Sequence, residues 1–170
     1  MGDLSGVILD IVRTHAILAP PIVFVLAFGE SLAFISLLLP ATVLLVGAGG
    51  IVSAANIGFW PIWGAAAAGA VLGDWVSYWL GFHFKEAIFG VWPLSRHPAL
   101  PAKGRAFFAR WGAAGVFIGR FFGPLRCIMP LIAGICAMPM LTFQLANLTS
   151  GLLWATAVLA PGWLAVEWLR

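Results

Sequence analysis

Residues 16–55 read AILAPPIVFVLAFGESLAFISLLLPATVLLVGAGGIVSAA, and Glu30 is the sole charge in the run. As one straight helix this stretch would be about 60 Å long at 1.5 Å per residue. The hydrocarbon core of a bilayer is about 30 Å thick, so the segment must fold back on itself. Pro40 and the glycines Gly47, Gly49 and Gly50 are the available break points. The reading is a re-entrant hairpin bent near Pro40. Irregular backbone of this kind is tolerated at membrane depth only where protein buries it or where it lines a wet cavity.

The rest of the chain agrees with a lipid environment. Of 170 residues, 62% are hydrophobic and 9% charged, against roughly 25% charged in a soluble domain. No Asp, Glu, Lys or Arg occurs between Glu30 and Asp74, or between Arg126 and Glu167. A water-soluble globular domain is excluded on this ground. The formal net charge is +3, and five of the cations (Lys85, Arg96, Lys103, Arg105, Arg110) crowd one interior segment with Glu86 as its lone acid. That pattern reads as a juxtamembrane basic cluster on the cytoplasmic side, not as a nucleic-acid surface. The apolar run after Arg13 is too long for the core of a signal peptide.

Six segments follow along the chain. Leu4, Val7, Ile8, Ile11 and Val12 have one-face helical spacing, which predicts a short interfacial helix over residues 1–14. The hairpin of 16–55 comes next. Residues 57–82 predict a full crossing, with small residues from Gly64 to Gly73 for close packing and tryptophans towards the ends. Residues 83–111 hold Pro93, Pro98 and Pro101, then Phe107, Phe108 and Trp111 among arginines, and predict a second interfacial helix. Residues 112–139 are apolar but interrupted by Gly123-Pro124, Pro130, Gly134 and Pro139, which predicts a second broken, re-entrant element. Residues 141–166 predict the last crossing.

The order therefore repeats: interfacial helix, broken hairpin, full crossing. Phe28-Gly29-Glu30 followed by Pro40 corresponds to Ile118-Gly119-Arg120 followed by Pro130, each proline ten residues after a charge. The expected fold is an all-α membrane protein of two inverted repeats in a single domain spanning 1–170. Its first unit is 1–84, its basic loop and interfacial helix 85–111, and its second re-entrant element and last crossing 112–170. This is a transporter architecture, with the site between the broken elements.

Four ionisable residues lie inside apolar sequence: Glu30, Asp74, Arg120 and Arg126. Each costs about 2.5–3.5 kcal/mol at the bilayer centre on insertion scales. The acids fall in the first unit and the arginines in the second, so docking the units would pair them. Arg120 and Arg126 are six apart and would point about 240° apart on an ideal helix; the break at Gly123-Pro124 would let them converge. Paired guanidinium groups suit a phosphate, and a carboxylate in a partly dry site can carry a proton. The expected roles are substrate binding for Arg120 and Arg126 and proton relay for Glu30 and Asp74. The alternative is a set of structural ion pairs holding the units together.

Other residues rank lower. Tyr78, four after Asp74, would share its helix face and hydrogen-bond it. Asn147 opens an Asn-Leu-Thr triplet inside apolar sequence and reads as an interhelical hydrogen-bonder. His15, His83 and His97 share no ligand spacing, so neither a metal nor any other cofactor is expected. Cys127 and Cys136, nine apart, read as packing residues. No nucleophile with a base accompanies the arginines, so the chain does not read as an enzyme.

The ordered set Phe28-Gly29-Glu30, Leu39-Pro40, Gly73-Asp74-x-x-x-Tyr78-x-x-Gly81, Gly119-Arg120-Phe121 with Pro124-x-Arg126, Pro130-x-x-Ala133-Gly134, Met138 and Phe143-x-x-x-Asn147-x-x-Gly151-x-x-Trp154 resembles the DedA family, also called the VTT or SNARE-associated domain family. The resemblance covers roughly residues 15–160. It implies a multi-pass protein of the bacterial inner membrane, two facing re-entrant elements, and movement of lipids such as undecaprenyl phosphate or phospholipids across the bilayer, with dependence on protons. It carries the functional acid and the two arginines over to Glu30, Arg120 and Arg126, with Pro40, Gly123, Pro124 and Pro130 in support. The implied partners are membrane lipids, a lipid-phosphate substrate and protons, with a homo-oligomer left open and no nucleic acid. Many members carry a second acid just after the first proline, where this chain has Pro40-Ala41-Thr42, and many continue past the position of Arg170. Without that acid, a proton-independent scramblase is the rival expectation, and a structural membrane protein for envelope homeostasis is the third.

Overall fold

The computed structural model describes residues 16–32, 58–85, 87, 100–122 and 125–168. These residues are all-helical, with no strand among them. A 3-10 turn, Ala16–Leu18, leads into α1 (Ala19–Ser31). Pro20 and Pro21 are tolerated there because the first turn of a helix has no backbone N–H bonds to lose. Next come α2 (Phe59–Phe84), α3 (Leu100–Gly119), α4 (Leu125–Ile135) and α5 (Met140–Trp168). The expected helix over 1–14, the bend at Pro40 and the Gly123-Pro124 break lie outside the described residues.

Two helices are long. At 1.5 Å per residue α2 extends about 39 Å and α5 about 44 Å. Among the described residues, α5 is the helix whose length and composition together suit a membrane crossing. The other two apolar helices are short: α1 has 13 residues and α4 has 11, or about 20 and 17 Å. Neither reaches across a 30 Å hydrocarbon core. The backbone leaves α1 at Leu32 in an extended conformation, while its N–H still donates to the carbonyls of Phe28 and Gly29.

Helix α2 is the hub, packing against α1, α4 and α5. A ridge of small residues at four-residue intervals, Gly69, Gly73, Ser77 and Gly81, makes this possible. A methyl group on Gly73 would come within 2.6 Å of the Phe28 carbonyl oxygen and 2.7 Å of Ser31 Cβ. Lower on the same ridge, Gly81 faces the Leu131 carbonyl, and Gly134 of α4 meets the Tyr78 carbonyl in return. Backbone therefore lies against backbone at both contacts, as small residues allow between helices in lipid. Ser77 Oγ donates to the Ser31 carbonyl at 3.3 Å.

One expectation is corrected here. Pro130 does not interrupt its helix: it is fully buried within α4, which runs on to Ile135. Pro130 lacks the N–H that would bond the Arg126 carbonyl, but Leu131 and Ala133, both fully buried, hold the following turn in place. The chain also leaves helix after Ile135 and resumes it at Met140, as Gly134 and Pro139 led one to expect, and it bends within α3, at the expected junction between residues 83–111 and 112–139. Gly112 has φ 49° and ψ −130°, so residues 100–111 and 113–119 are two helical pieces joined at a sharp bend. That positive φ suits a glycine. The phenyl ring of Phe107 folds back against Gly115, where a Cβ would meet it at 2.5 Å.

The buried apolar residues fall into two clusters. One joins α1, α2 and α5 through Val23, Ala27, Ile62, Ala70, Trp154 and Leu159. The other joins α2 to α5 through Tyr78, Phe108, Val116, Ile132 and Phe143. Along α2, Asp74 falls between the two; along α5, Asn147 and Ser150 do the same. A polar layer thus crosses the molecule between two apolar ones.

Candidate functional site

Four of the five helices, and the turn that closes the fifth, send a side chain into the polar layer. Glu30 is the next-to-last residue of α1, and Asp74 sits mid-way along α2 beside Gly73 of the small-residue ridge. Arg120 stands in the turn that closes α3, where the N–H groups of Phe121 and Phe122 bond the carbonyls of Ile118 and Gly119 at 3.0 and 3.2 Å. Arg126 is the second residue of α4, and α5 contributes Gln144, Asn147 and Trp154.

The acids and arginines pair across the sequence. The Arg120 guanidinium donates through Nη2 to Asp74 Oδ2 in a short, buried ion pair, and to Asn147 Oδ1 at 2.5 Å. Arg126 Nη1 lies 3.1 Å from Glu30 Oε1. Glu30, which has no cation near it in sequence, is neutralised by a residue of the other half of the chain. Both pairs lie in the one polar layer between the two apolar clusters. Arg120 Nε is buried and has no hydrogen-bond partner among the described residues. The Arg120–Asp74 contact therefore does not use the full fork of donors that guanidinium offers.

Asn147 is fixed from behind. Its Nδ2 donates to the Val71 carbonyl at 3.0 Å and to Gln144 Oε1 at 3.3 Å, which leaves Oδ1 for Arg120. This bears out the reading of Asn147 as an interhelical hydrogen-bonder. Gly151, one turn on, opens space for the guanidinium: a Cβ there would stand 3.1 Å from Arg120 Nη1 and 2.7 Å from Val71 Cγ2.

Tyr78 does not bond Asp74. Its hydroxyl donates to the Met138 carbonyl at 2.6 Å, tying α2 to the turn between α4 and α5. Its ring stacks on Phe143 with centroids 4.3 Å apart. The shared helix face is real, but the Asp74 carboxylate turns to Arg120, and the stacking directs the phenol the other way. Pro130 is buried in α4 behind the site, while Pro40, Gly123 and Pro124 lie outside the described residues.

Sequence reasoning missed Trp154 as part of the site. The Arg126 guanidinium carbon lies 4.6 Å from the Trp154 ring centroid, within cation–π range. Asn147, Gly151 and Trp154 fall at i, i+4 and i+7 on one face of α5. That spacing was a usable signal once Asn147 was placed at the arginines. Among the described residues no group of His, Cys, Asp and Glu could hold a metal ion.

Carboxylates and arginines paired in the middle of a bundle this apolar define an all-α membrane protein. Comparison with known proteins gives the family. A VTT-domain profile matches residues 39–164. The chain is 36% identical over 143 residues to the inner membrane protein YabI of Escherichia coli, covering 84% of this chain and 56% of that protein. It is 35% identical over 163 residues to the uncharacterized membrane protein Rv2637 of Mycobacterium tuberculosis, covering 89% and 75%. It is 35% identical over 130 residues to the inner membrane protein YghB of Escherichia coli, covering 74% and 58%. No solved structure matches. The chain belongs to the VTT-domain, or DedA, family of membrane proteins. It spans a little over half the length of YabI.

Proposed function

We propose that this protein is a carrier that moves a lipid phosphate across the bacterial inner membrane, with Arg120 and Arg126 receiving the phosphate and Glu30 and Asp74 holding the arginines when it is absent. The observation that carries this reading is the double Arg–carboxylate cluster built from both halves of the chain. A phosphate is an anion like the carboxylates, and it can replace them on the same guanidinium groups. Protonation of Glu30 would remove the charge that holds Arg126 and free it for substrate, which couples the site to protons. The spare Arg120 Nε offers a further donor to a phosphate oxygen.

The helix ends support the same reading. Glu30 stands at the C-terminal, electronegative end of α1, and Arg126 at the N-terminal, electropositive end of α4. Each charge is therefore at the unfavourable end of its own helix, and their mutual attraction must offset both dipoles. Such a pair opens more readily than one the dipoles support. An anion arriving at the N-terminal turn of α4 would gain from the same field that disfavours Arg126. Short helices ending inside apolar sequence fit two re-entrant elements of an inverted repeat, with the site between them. On this reading the protein makes and breaks no covalent bond, and its tail-bearing substrate keeps its hydrocarbon in lipid while the head group crosses.

The test is head-group translocation in proteoliposomes with a labelled undecaprenyl phosphate, with and without a pH gradient. Wild type is compared with Glu30→Gln and Arg126→Ala at matched insertion. The expected result is transport that needs the gradient and both residues. Absence of an acid at Pro40-Ala41-Thr42 favours a second reading, a scramblase that runs without protons. Translocation unaffected by the gradient or by an uncoupler would select it. No movement of any phospholipid would sink both readings.

A further inference from the structure

Outside the charge cluster, the bend at Gly112 leaves a groove of about 320 Å³ lined by Phe107, Trp111, Ile118, Gly119, Phe122 and Met129. We propose that this groove seats one hydrocarbon chain of an anionic membrane lipid, with the lipid phosphate held outside it by Arg110. The proposal rests on the lipid-carrier reading for the placement of α3 in the membrane, and it adds a waiting position beside the charged site.

Three observations carry it. The wall is carbon and sulfur apart from the indole N–H of Trp111. A soluble ligand of the size this volume admits would need a few converging polar groups to orient it, and the wall supplies none. The groove is also built by specific features rather than left over from loose packing. Gly112 at φ 49° turns the first piece of α3 back towards the second. Gly119 brings the end of α3 close to α4, where a Cβ would meet Met129 Cγ at 2.7 Å. Finally, charge stands at one side. Arg110, exposed, lies with its guanidinium carbon 5.8 Å from the Trp111 ring centroid, and Lys103, also exposed, is seven residues earlier on the same helical face. Basic side chains beside an exposed tryptophan and an apolar slot match a lipid with an anionic head group.

The groove also adjoins the charged site. Gly119 forms part of the lining and the next residue is Arg120. A lipid seated here would have its tail against the backbone that carries the first arginine.

The experiment uses the full chain in liposomes containing tail-diazirine analogues of phosphatidylglycerol or phosphatidylcholine, with cross-linked peptides mapped by mass spectrometry. Wild type should concentrate label on peptides covering residues 107–129, and more from phosphatidylglycerol than from phosphatidylcholine. Ile118→Trp, which fills the groove from an exposed position, should lower that label several-fold. Trp111→Ala, which removes a wall without adding bulk, should lower it as well, so that misfolding of one variant does not decide the matter. Arg110→Gln should erase the head-group preference while leaving tail labelling.

Label spread evenly over the exposed face of α5, unchanged by Ile118→Trp, would mean annular lipid only and overturn the proposal. So would disulfide cross-linking of Ile118→Cys between two copies of the chain in the same liposomes, which would make the groove a subunit contact. Equal labelling from both lipids in wild type would remove Arg110 from it. Translocation measured in the same liposomes separates the two readings. A labelled groove without translocation removes the carrier and keeps the groove, and translocation without groove labelling does the reverse.

Discussion

Arg120–Asp74 and Arg126–Glu30 are two ion pairs of the same chemistry in one layer, yet they are held differently. Asp74 lies mid-helix on α2, and Arg120 is also bonded by Asn147, itself bonded to the Val71 carbonyl. Both side chains are nearly inaccessible, at 5% and 7%. Arg126 and Glu30 meet at 3.1 Å from the ends of two short helices, and Arg126 is the more open partner at 11%. Its second contact is the face of Trp154 rather than a hydrogen-bond acceptor. Helix dipoles oppose both members of this pair, whereas Arg120, just past the C-terminal end of α3, is favoured by its dipole. On the carrier reading, the difference separates a latch, which yields only once phosphate has reached Arg120, from a gate that opens first. The first pair fixes α2, α3 and α5 together; the second joins the two short helices that the carrier reading requires to separate.

The largest effect is therefore expected at the latch. Asp74→Ala leaves the Arg120 guanidinium buried without its counter-charge, which costs about 3–5 kcal/mol. Loss of monodisperse protein on heating in detergent, far earlier than wild type, would show it. Arg120→Ala should be similarly severe, and the double substitution should cost clearly less than the two singles added together. A smaller effect on folding is expected from Glu30→Gln, which keeps shape and hydrogen-bonding capacity beside Arg126 while removing the charge. This variant should stay folded and lose transport. Equal thermal losses for Asp74→Ala and Glu30→Gln would erase the distinction between latch and gate.

Much of this was legible in the sequence, for a physical reason. Charges inside apolar sequence must be paired, so Glu30, Asp74, Arg120 and Arg126 announce themselves by the cost of being where they are. The halves they come from even set the pairing of acids with arginines. Which acid meets which arginine was not legible, because it depends on how the Gly69–Gly81 ridge sets α1 and α4 against α2. Tyr78 was misassigned because helical spacing fixes a face but not the rotamer within it, and stacking on Phe143 decides that rotamer. Pro130 was misread because a local helix-breaking rule was applied where tertiary packing of Leu131 and Ala133 overrides it. The junction at 111/112 was legible as a change from basic, aromatic sequence to apolar sequence, but the positive φ of Gly112 was not, since a lone glycine among Trp111, Ala113 and Ala114 looks the same whatever its φ.

The finest distinction between the pairs rests on Trp154. If its face is what steadies Arg126 when Glu30 lets go, then shortening the ring should act on the gate and leave the latch alone. Trp154→Leu removes a cation–π contact worth about 0.5–2 kcal/mol and also opens space in the apolar cluster with Ala70 and Leu159. Trp154→Phe keeps an aromatic face with a weaker quadrupole and less bulk. The two substitutions share the packing loss to different degrees, so thermal stability alone cannot separate the causes. Substrate concentration dependence can: a steadied Arg126 predicts weaker half-saturation for the lipid phosphate in Trp154→Leu, with partial recovery in Trp154→Phe. A purely packing role for Trp154 predicts that both variants lose stability in proportion to volume while half-saturation stays at the wild-type value, and Arg126 would then be held by Glu30 alone.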